Sequence, residues 1–519
     1  MNSSYATTSL LQGLKDAGIS YNTDLSKFYT KYRKDRPSIG MFGQDWTLPE
    51  PAVKTYSDSM LNKAKSYSDT AVLVIARSGG EGADLPTDMG KVEIGKAGTT
   101  VKAGKFGITG SHYINNSSDY ADYKAGDSYL DLSQTEKDLV SYVTRNFKKV
   151  VLVYNGANDL NLSFVSSHPQ IKSVLWCPPA GQTGFKALGE VLTGKINPSG
   201  HLAETWPLHY EDVPSAGNFP VADRDSVYKE GPFIGYRYYT TAHVPVRYPF
   251  GYGLSYSTFE YSLLQVDGNG VTFTVRNSSQ IAGDALPQMY IGRNQATSGI
   301  LRPARELKAF SKIHLEPGES KQVRFDFDLY TFRHFDPGTA SWQVEAGAWD
   351  IWIGSDANTL CLHATHVVQG TIEPGHLSEQ WGHYIGADIR HVTDSEVSYL
   401  LGHTVSKYTN SGVFQSNDAI SSWAYSPSWL ARKVVKVLQS KEDKAVKKTG
   451  SPDLNILFVL NMPPRAMAKM TGGRISPDMV TRGILDIPNK HLWRGIGHLI
   501  SGYFRNKKDN KKTQEDIEK

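Results

Sequence analysis

Glu81 stands between Gly80 and Gly82, with Asp84 three residues further on. A carboxyl group on a glycine-rich loop can give and take a proton. It suits general acid–base chemistry when its surroundings raise its pKa. The same acid could equally be a solvated surface carboxylate, because loops are commonly polar and exposed. The residues before it matter here. Ala71 to Ala76 (AVLVIA) is a short apolar, β-branched run of the kind buried in a parallel sheet. Arg77, Ser78, Gly79 and Gly80 break that strand, so Glu81 falls on the loop leaving its C-terminal end. Open α/β sheets place their sites there. The rest of the chain decides between the two readings.

Other chemistries find little support. The 15 His include no His-Glu-x-x-His and no other clustered ligand set, so no metal is expected. No phosphate-cradling Gly-x-x-x-x-Gly-Lys occurs, and no cofactor is expected. Ser255, in GYGLSY, lacks the Gly-x-Ser-x-Gly elbow of a nucleophile. Cys177 and Cys361 lie in apolar settings and form neither a disulfide framework nor a zinc spacing. That fits a reducing compartment. The N-terminus has no basic n-region and no apolar h-region, so a cytoplasmic location is expected. The sequon at Asn277 is then a chance occurrence. No apolar run approaches the ~20 residues of a membrane span. The 56 basic and 52 acidic residues give a net charge of +4, too balanced for nucleic acid as the main partner.

The elements that must position Glu81 follow from periodicity. The 519 residues allow roughly three domains at ~150 residues each. Thr8 to Ala17 reads as a helix, with Leu10, Leu11 and Leu14 on one face and Gly18 to end it. Ser57 to Ser68 reads as a helix running into the strand at 71–76. A long irregular passage, 84–127, follows Glu81; such a span is usually functional or mobile. Ser133 then caps a helix to about Asn146, and Glu136 completes a capping box. Lys149 to Asn155 and Ser173 to Cys177 are further buried strands, and Gln182 to Thr193 a helix. This alternation predicts an α/β layer of the doubly wound kind.

From Asn197 to Phe250 the chain is rich in Pro and Tyr. The pattern then switches to period two at Val271/Phe273/Val275, Met289/Ile291, Val323/Phe325/Phe327 and Trp349/Ile351/Ile353, with turn signals at Asp267-Gly268, Pro317-Gly318 and Pro337-Gly338. That predicts a β-sandwich of immunoglobulin or fibronectin III style. The expected layout is an α/β sandwich domain over 1–207, a linker over 208–254, an all-β fibronectin III-like domain over 255–370, and a helical extension over 371–519 ending in a disordered tail. Ser428 to Gln439 and Lys490 to Phe504 are amphipathic. Packing on the chain or a partner is the first reading of them, and a membrane-surface role the second. The tyrosines at 236, 238, 239, 252 and 256 read as interdomain packing rather than ligand contacts.

Several of these pieces, in order, resemble glycoside hydrolase family 3 of the β-glucosidase type, in its C-terminal half. They are SGGEGADLP (78–86), DLSQTEKDLV (131–140), KVVLVYNGAN (149–158), WCPPAGQTGFKALGEVLTGKINPSGHLAETWP (176–207), GYRYY (235–239), YPFGYGLSYSTFEY (248–261) and RPARELKAFSKIHLEPGES (302–320). The tail, with NMPPRAMAKMTGG (461–473), is similar to an extension of longer bacterial members. The resemblance implies a retaining glycosidase, which uses two carboxyl groups about 5–5.5 Å apart. One is a nucleophilic Asp on an N-terminal (β/α)₈ barrel. The other is an acid/base Glu from the α/β domain, and by motif Glu81 matches it. The implied substrate is a β-glucoside or an oligosaccharide.

Two departures shape the expectation. No stretch here could form the barrel, which needs about 200 or more residues, and no Ser-Asp-Trp-type nucleophile motif occurs. The α/β sandwich also begins late, with Met1 where the family's first strand and glycine turn belong. Leu85 and Pro86 stand where relatives often carry Arg, which weakens Asp84 as a candidate. The favoured reading is the acid/base-bearing half of a β-glucosidase, inactive without a barrel, which a separately encoded chain could supply. The alternative is a non-catalytic carbohydrate-binding or structural module.

Overall fold

The computed structural model describes residues 6–34, 50–77, 85, 88–91, 123–216, 218, 227–405, 412–449, 453–471 and 473–517. These fall into two compact units. One comprises residues 22–179, 222–225 and 407–519, the other 1–21, 180–221 and 226–406.

The first unit is built on a three-stranded parallel sheet of β1 (Thr70–Ala76), β2 (Lys149–Asn155) and β3 (Ile171–Cys177), in that order. Ala76 pairs with Asn155 and Asn155 with Cys177, so the three strands end level. In the central strand Val150, Leu152, Val153 and Tyr154 expose nothing, as a strand covered on both faces requires. The Asp58–Tyr67 helix, capped by Ser57, leads into β1. The Gln134–Asn146 helix leads towards β2 and opens with the expected capping box of Ser133 and Glu136. A further helix, Thr23–Tyr32, has no counterpart in the sequence reading; Asn22 caps it.

The C-terminal part of this unit is helical, as expected. Trp423, Ala431, Val435, Leu460, Val480 and Ile484 form its core. Its helices are Trp429–Thr449, Leu454–Asn461, Pro464–Met470 and Leu492–Ile517. The last corrects an expectation. Residues 505–517 continue the helix instead of forming a disordered tail. No Gly or Pro interrupts them, and Lys511 pairs with Glu515 one turn on.

In the second unit the Leu10–Asp16 helix packs against the Phe185–Leu192 helix through glycine. A Cβ on Gly13 would clash with the Phe185 carbonyl oxygen, and one on Gly189 with that of Gly13. After a short pair, β4 (Trp206–Pro207) with β5 (Val246–Tyr248), the chain enters a sandwich. Its first strands are β6 (Phe259–Asp267), β7 (Gly270–Asn277), β8 (Gly283–Ala285), β9 (Gln288–Gly292), β10 (Glu306–Phe310) and β11 (Ile313–Leu315). Then come β12 (Ser320–Asp326), β13 (Arg333–Asp336), β14 (Ser341–Val344), β15 (Gly347–Gly354) and β16 (Leu360–Val368). One sheet runs β12-β7-β6 and the other β10-β9-β15-β16; β8 pairs with β11 and β13 with β14. Val271, Phe273 and Val275 share one buried apolar core with Met289, Ile291, Ile351 and Ile353.

Three of the five tyrosines expected to pack, Tyr236, Tyr238 and Tyr239, are buried, Tyr252 is half-buried, and Tyr256 is exposed. Tyr236 stacks on Phe250 at 4.6 Å, meets Tyr290 edge-on at 5.9 Å, and its hydroxyl accepts the Leu307 N–H. Asn197, of the Asn-Pro-Ser-Gly turn, ties the segment together. Its amide donates to the Ser257 hydroxyl and the Ala282 carbonyl, and its oxygen accepts from the Ser255 hydroxyl and the Tyr256 N–H.

Candidate functional site

The C-terminal edge of the β1-β2-β3 sheet is where the sequence directs attention. Glu81 and Asp84 lie outside the described residues, as does most of the 84–127 passage; the structure describes what holds the two ends of the segment that carries them. At the entry is Arg77, the residue after β1. Its N–H donates to the Asn155 carbonyl and so extends the ladder by one bond. Its side chain has no exposed surface and turns back under the sheet edge. There Nε donates to the Tyr129 carbonyl at 2.9 Å, Nη1 to the Ala76 carbonyl at 2.9 Å, and Nη2 to the Asp131 carbonyl at 2.7 Å. Nη1 and Nη2 also grip the two oxygens of Glu136 at 2.6 and 2.7 Å. The Tyr129 ring lies 5.6 Å from the guanidinium carbon.

Burial is the largest influence on the Arg77 pKa and lowers it, but the charge and hydrogen bonds of Glu136 together with Tyr123 and Tyr129 outweigh it and hold the guanidinium above its ordinary value. Arg77 is therefore a structural cation, out of contact with solvent. Glu136 does two jobs. Besides Arg77, its Oε2 accepts the Ser133 N–H at 2.9 Å, while its own N–H donates to the Ser133 hydroxyl at 3.1 Å. The start of the 134–146 helix and the end of β1 are thus one hydrogen-bonded object.

The exit side is tied to the same place. Leu85 packs against a buried pair, Met89 and Tyr129, together with Tyr123 and Leu130. The Met89 N–H donates to the Asp127 carbonyl, and Asp88 accepts the Gly90 and Gly126 N–H groups at 2.9 and 2.8 Å. Tyr129 is thus shared: its carbonyl holds Arg77 and its ring lines the cluster that receives Leu85. Glu81 is four residues from each anchor.

The neighbouring strand ends are locked by side chains. The Asn155 amide donates to the Cys177 carbonyl at 2.8 Å, the Trp176 indole N–H to the Gly156 carbonyl at 2.9 Å, and the Tyr154 hydroxyl to the Asn158 carbonyl at 2.6 Å. Burial raises the Tyr154 hydroxyl well above its ordinary pKa, so it stays a donor. These bonds brace the ends of the three strands side by side.

The sequence reading treated Arg77 as a strand breaker and Glu136 as a helix cap, and missed their pairing. A charged residue directly after an apolar strand was the available signal. Ser255 spends its hydroxyl on Asn197 and the Ser257 N–H. Cys177 and Cys361 are free thiols, each raised in pKa by burial. Among the described residues no three His, Cys, Asp or Glu gather as a metal group. No helix among them is long and apolar enough to cross a membrane.

Comparison with known proteins agrees with this architecture. Residues 1–256 match the glycosyl hydrolase family 3 C-terminal domain and residues 285–357 the fibronectin type III-like domain. Thermostable β-glucosidase B of Acetivibrio thermocellus is 29% identical over 371 residues, 70% of this chain and 44% of that protein. An exo-α-(1→6)-L-arabinopyranosidase of Bifidobacterium breve is 34% identical over 260 residues, 49% of this chain and 34% of that protein. The structure of β-glucosidase 3B from Thermotoga neapolitana in complex with glucose superposes with a TM-score of 0.53 at 31% identity, over 71% of this chain and 47% of that one. The chain thus spans less than half the length of these relatives. It carries the C-terminal half of glycosyl hydrolase family 3, a C-terminal domain followed by a fibronectin type III-like domain.

Proposed function

We propose that this chain is the acid/base-bearing part of a retaining glycosidase of β-glucosidase type. Glu81 protonates the leaving oxygen in the first step and activates water in the second. The nucleophilic Asp comes from a barrel domain outside these 519 residues, encoded in a separate chain or otherwise supplied, and the chain is inactive without it. Half of a carboxyl pair cannot form and break a glycosyl–enzyme bond. The observation that carries this reading is the place of the Glu81 motif, four residues after Arg77, which is locked at the C-terminal end of β1, within residues that match the family's C-terminal domain. Two free cysteines fit a cytoplasmic setting.

The sugar is a hexose or pentose in pyranose form, since relatives include both β-glucosidases and an arabinopyranosidase. The test is hydrolysis of an aryl β-D-glucoside and an aryl α-L-arabinopyranoside by the purified chain, alone and mixed with a family barrel domain. Activity is expected only in the mixture, with a loss of about 10²-fold or more in Glu81→Gln. Activity of the chain alone, or a mixture indifferent to Glu81→Gln, overturns the proposal. Sugar binding by the chain alone that ignores Glu81 would instead identify a non-catalytic binding module.

A further inference from the structure

The helical end of the first unit carries charge and apolar surface that the sheet-edge chemistry does not use. Residues 412–517 hold 18 Lys and Arg against 9 Asp and Glu, although the whole chain is only +4. The Leu492–Ile517 helix covers part of its apolar side chains, as a surface helix does, but leaves a second apolar line exposed. Its inner face is small. Gly495 and Gly502 are buried, the first against the Gly483 carbonyl oxygen and the second against Met479, with Leu499 packed on Gly483 between them. Leu492, Ile496 and Leu499 are partly covered, and Leu499 packs on the helical core, whereas three large apolar side chains face outward. Trp493 is 82% exposed, Ile500 57% and Phe504 67%.

The spacing i, i+7, i+11 puts Trp493, Ile500 and Phe504 on one line along the helix. Lys507 and Lys511 continue that line over the next two turns, with Lys508 and Lys512 beside it. Arg494 and Arg505 are held by Asp486 and Asp478 at 2.6 and 3.3 Å. Lys507, Lys508 and Lys512 make no ion pair among the described residues, and Lys511 makes only the 3.7 Å contact with Glu515. An exposed aromatic and aliphatic ridge running into exposed lysines is the pattern of a helix that lies in a lipid interface.

We propose that this helix docks on an anionic lipid bilayer. Trp493, Ile500 and Phe504 enter the boundary between headgroups and acyl chains, and Lys507, Lys508, Lys511 and Lys512 meet acidic headgroups. Charge decides against a second copy of the same face, which would set one strongly basic surface against another. A neutral polysaccharide offers the rings a stacking partner but leaves the lysines without one.

The test is flotation of the full chain with phosphatidylcholine vesicles containing phosphatidylserine, and with phosphatidylcholine vesicles alone. The chain is expected to float with the anionic vesicles only. Binding should fall about tenfold or more when Trp493→Ser, Ile500→Ser and Phe504→Ser are combined, and similarly when Lys507, Lys508, Lys511 and Lys512 are each changed to Glu. Added salt should weaken it too. All seven positions are exposed, so an unchanged thermal transition checks that the variants fold. No flotation at low salt, or flotation indifferent to both variants, overturns the proposal. A wild-type dimer that the triple serine variant dissolves assigns the face to a second copy; a barrel domain that the same variant fails to bind assigns it to that protein. The readout involves no sugar, so its failure leaves the role of Glu81 untouched.

Discussion

Removing the Glu136 carboxylate should loosen the edge of the parallel sheet by an amount the geometry lets one work out. In Glu136→Ala the Arg77 guanidinium keeps its three carbonyl acceptors but loses both charged ones, in a place with no exposed surface. Breaking a buried pair by deleting one partner costs about 3–5 kcal/mol, because the remaining charge is left uncompensated. The lost capping box lies within that range. Glu136→Gln keeps the volume and the cap but not the charge, so about 2–3 kcal/mol is expected. The assay is hydrogen exchange of peptides covering β1 and β2, read by mass spectrometry. A loss of about 4 kcal/mol speeds exchange from the open state by roughly 10³-fold. Arg77→Met combined with Glu136→Gln should cost less than the two singly, since the second change then removes no charge partner. If Glu136→Ala quickens exchange less than about tenfold, or Glu136→Gln behaves as wild type, the buried pair is not what holds the sheet edge.

Asn197→Ala removes four hydrogen bonds around the turn that joins the 185–192 helix to the sandwich. Part of that loss is recovered by water, so a cost of about 2–3 kcal/mol is expected, seen as a lower melting temperature. A variant that melts like wild type would show these bonds to be incidental. Glu442 provides a pH test. Burial raises its carboxyl to about 7, although the Asp453 N–H on Oε1 opposes this; Asp453 and Asp443 add to the rise. The folded state therefore keeps a proton that the unfolded chain loses above its ordinary carboxyl pKa, and stability must fall as pH rises through that window. The full shift would be worth ~3 kcal/mol; the side chain still touches solvent, so about 1 kcal/mol is expected. Urea midpoints measured across the window should show the fall in wild type and not in Glu442→Gln; parallel curves would contradict it.

How much of this was legible beforehand depended on how local each signal was. The strands read at 71–76, 149–155 and 173–177 announce themselves as largely apolar runs, and the Ser133–Glu136 box spans only four residues. Arg77 and Glu136 are 59 positions apart, so no local pattern could pair them. Alternation correctly assigned Met289 and Ile291 to the sandwich core. It could not show that Tyr290, on the opposite face, is fully buried too, because the cover comes from Tyr236 and Phe250 in the connecting segment. The stretch 490–504 reads as amphipathic. Which of its apolar residues pack is settled only by glycines at 495 and 502, which let the backbone approach and turn Trp493 and Phe504 outward. Mixed charge suggested a disordered end, yet nothing in 505–517 breaks a helix already begun. Glu81 itself was assigned by motif, and the described residues add the anchors on either side of it.

The most direct test of the central claim compares aryl glycosides with poor and good leaving groups, hydrolysed by the chain completed with a barrel domain. An acid catalyst matters when the leaving oxygen needs its proton and hardly at all when it does not. If Glu81 is the acid/base, Glu81→Ala loses far more activity on the poor leaving group than on the good one. Added azide, which needs no base to attack the glycosyl–enzyme, then restores turnover of the good one. Equal losses on both substrates, with no rescue by azide, would contradict the assignment of Glu81.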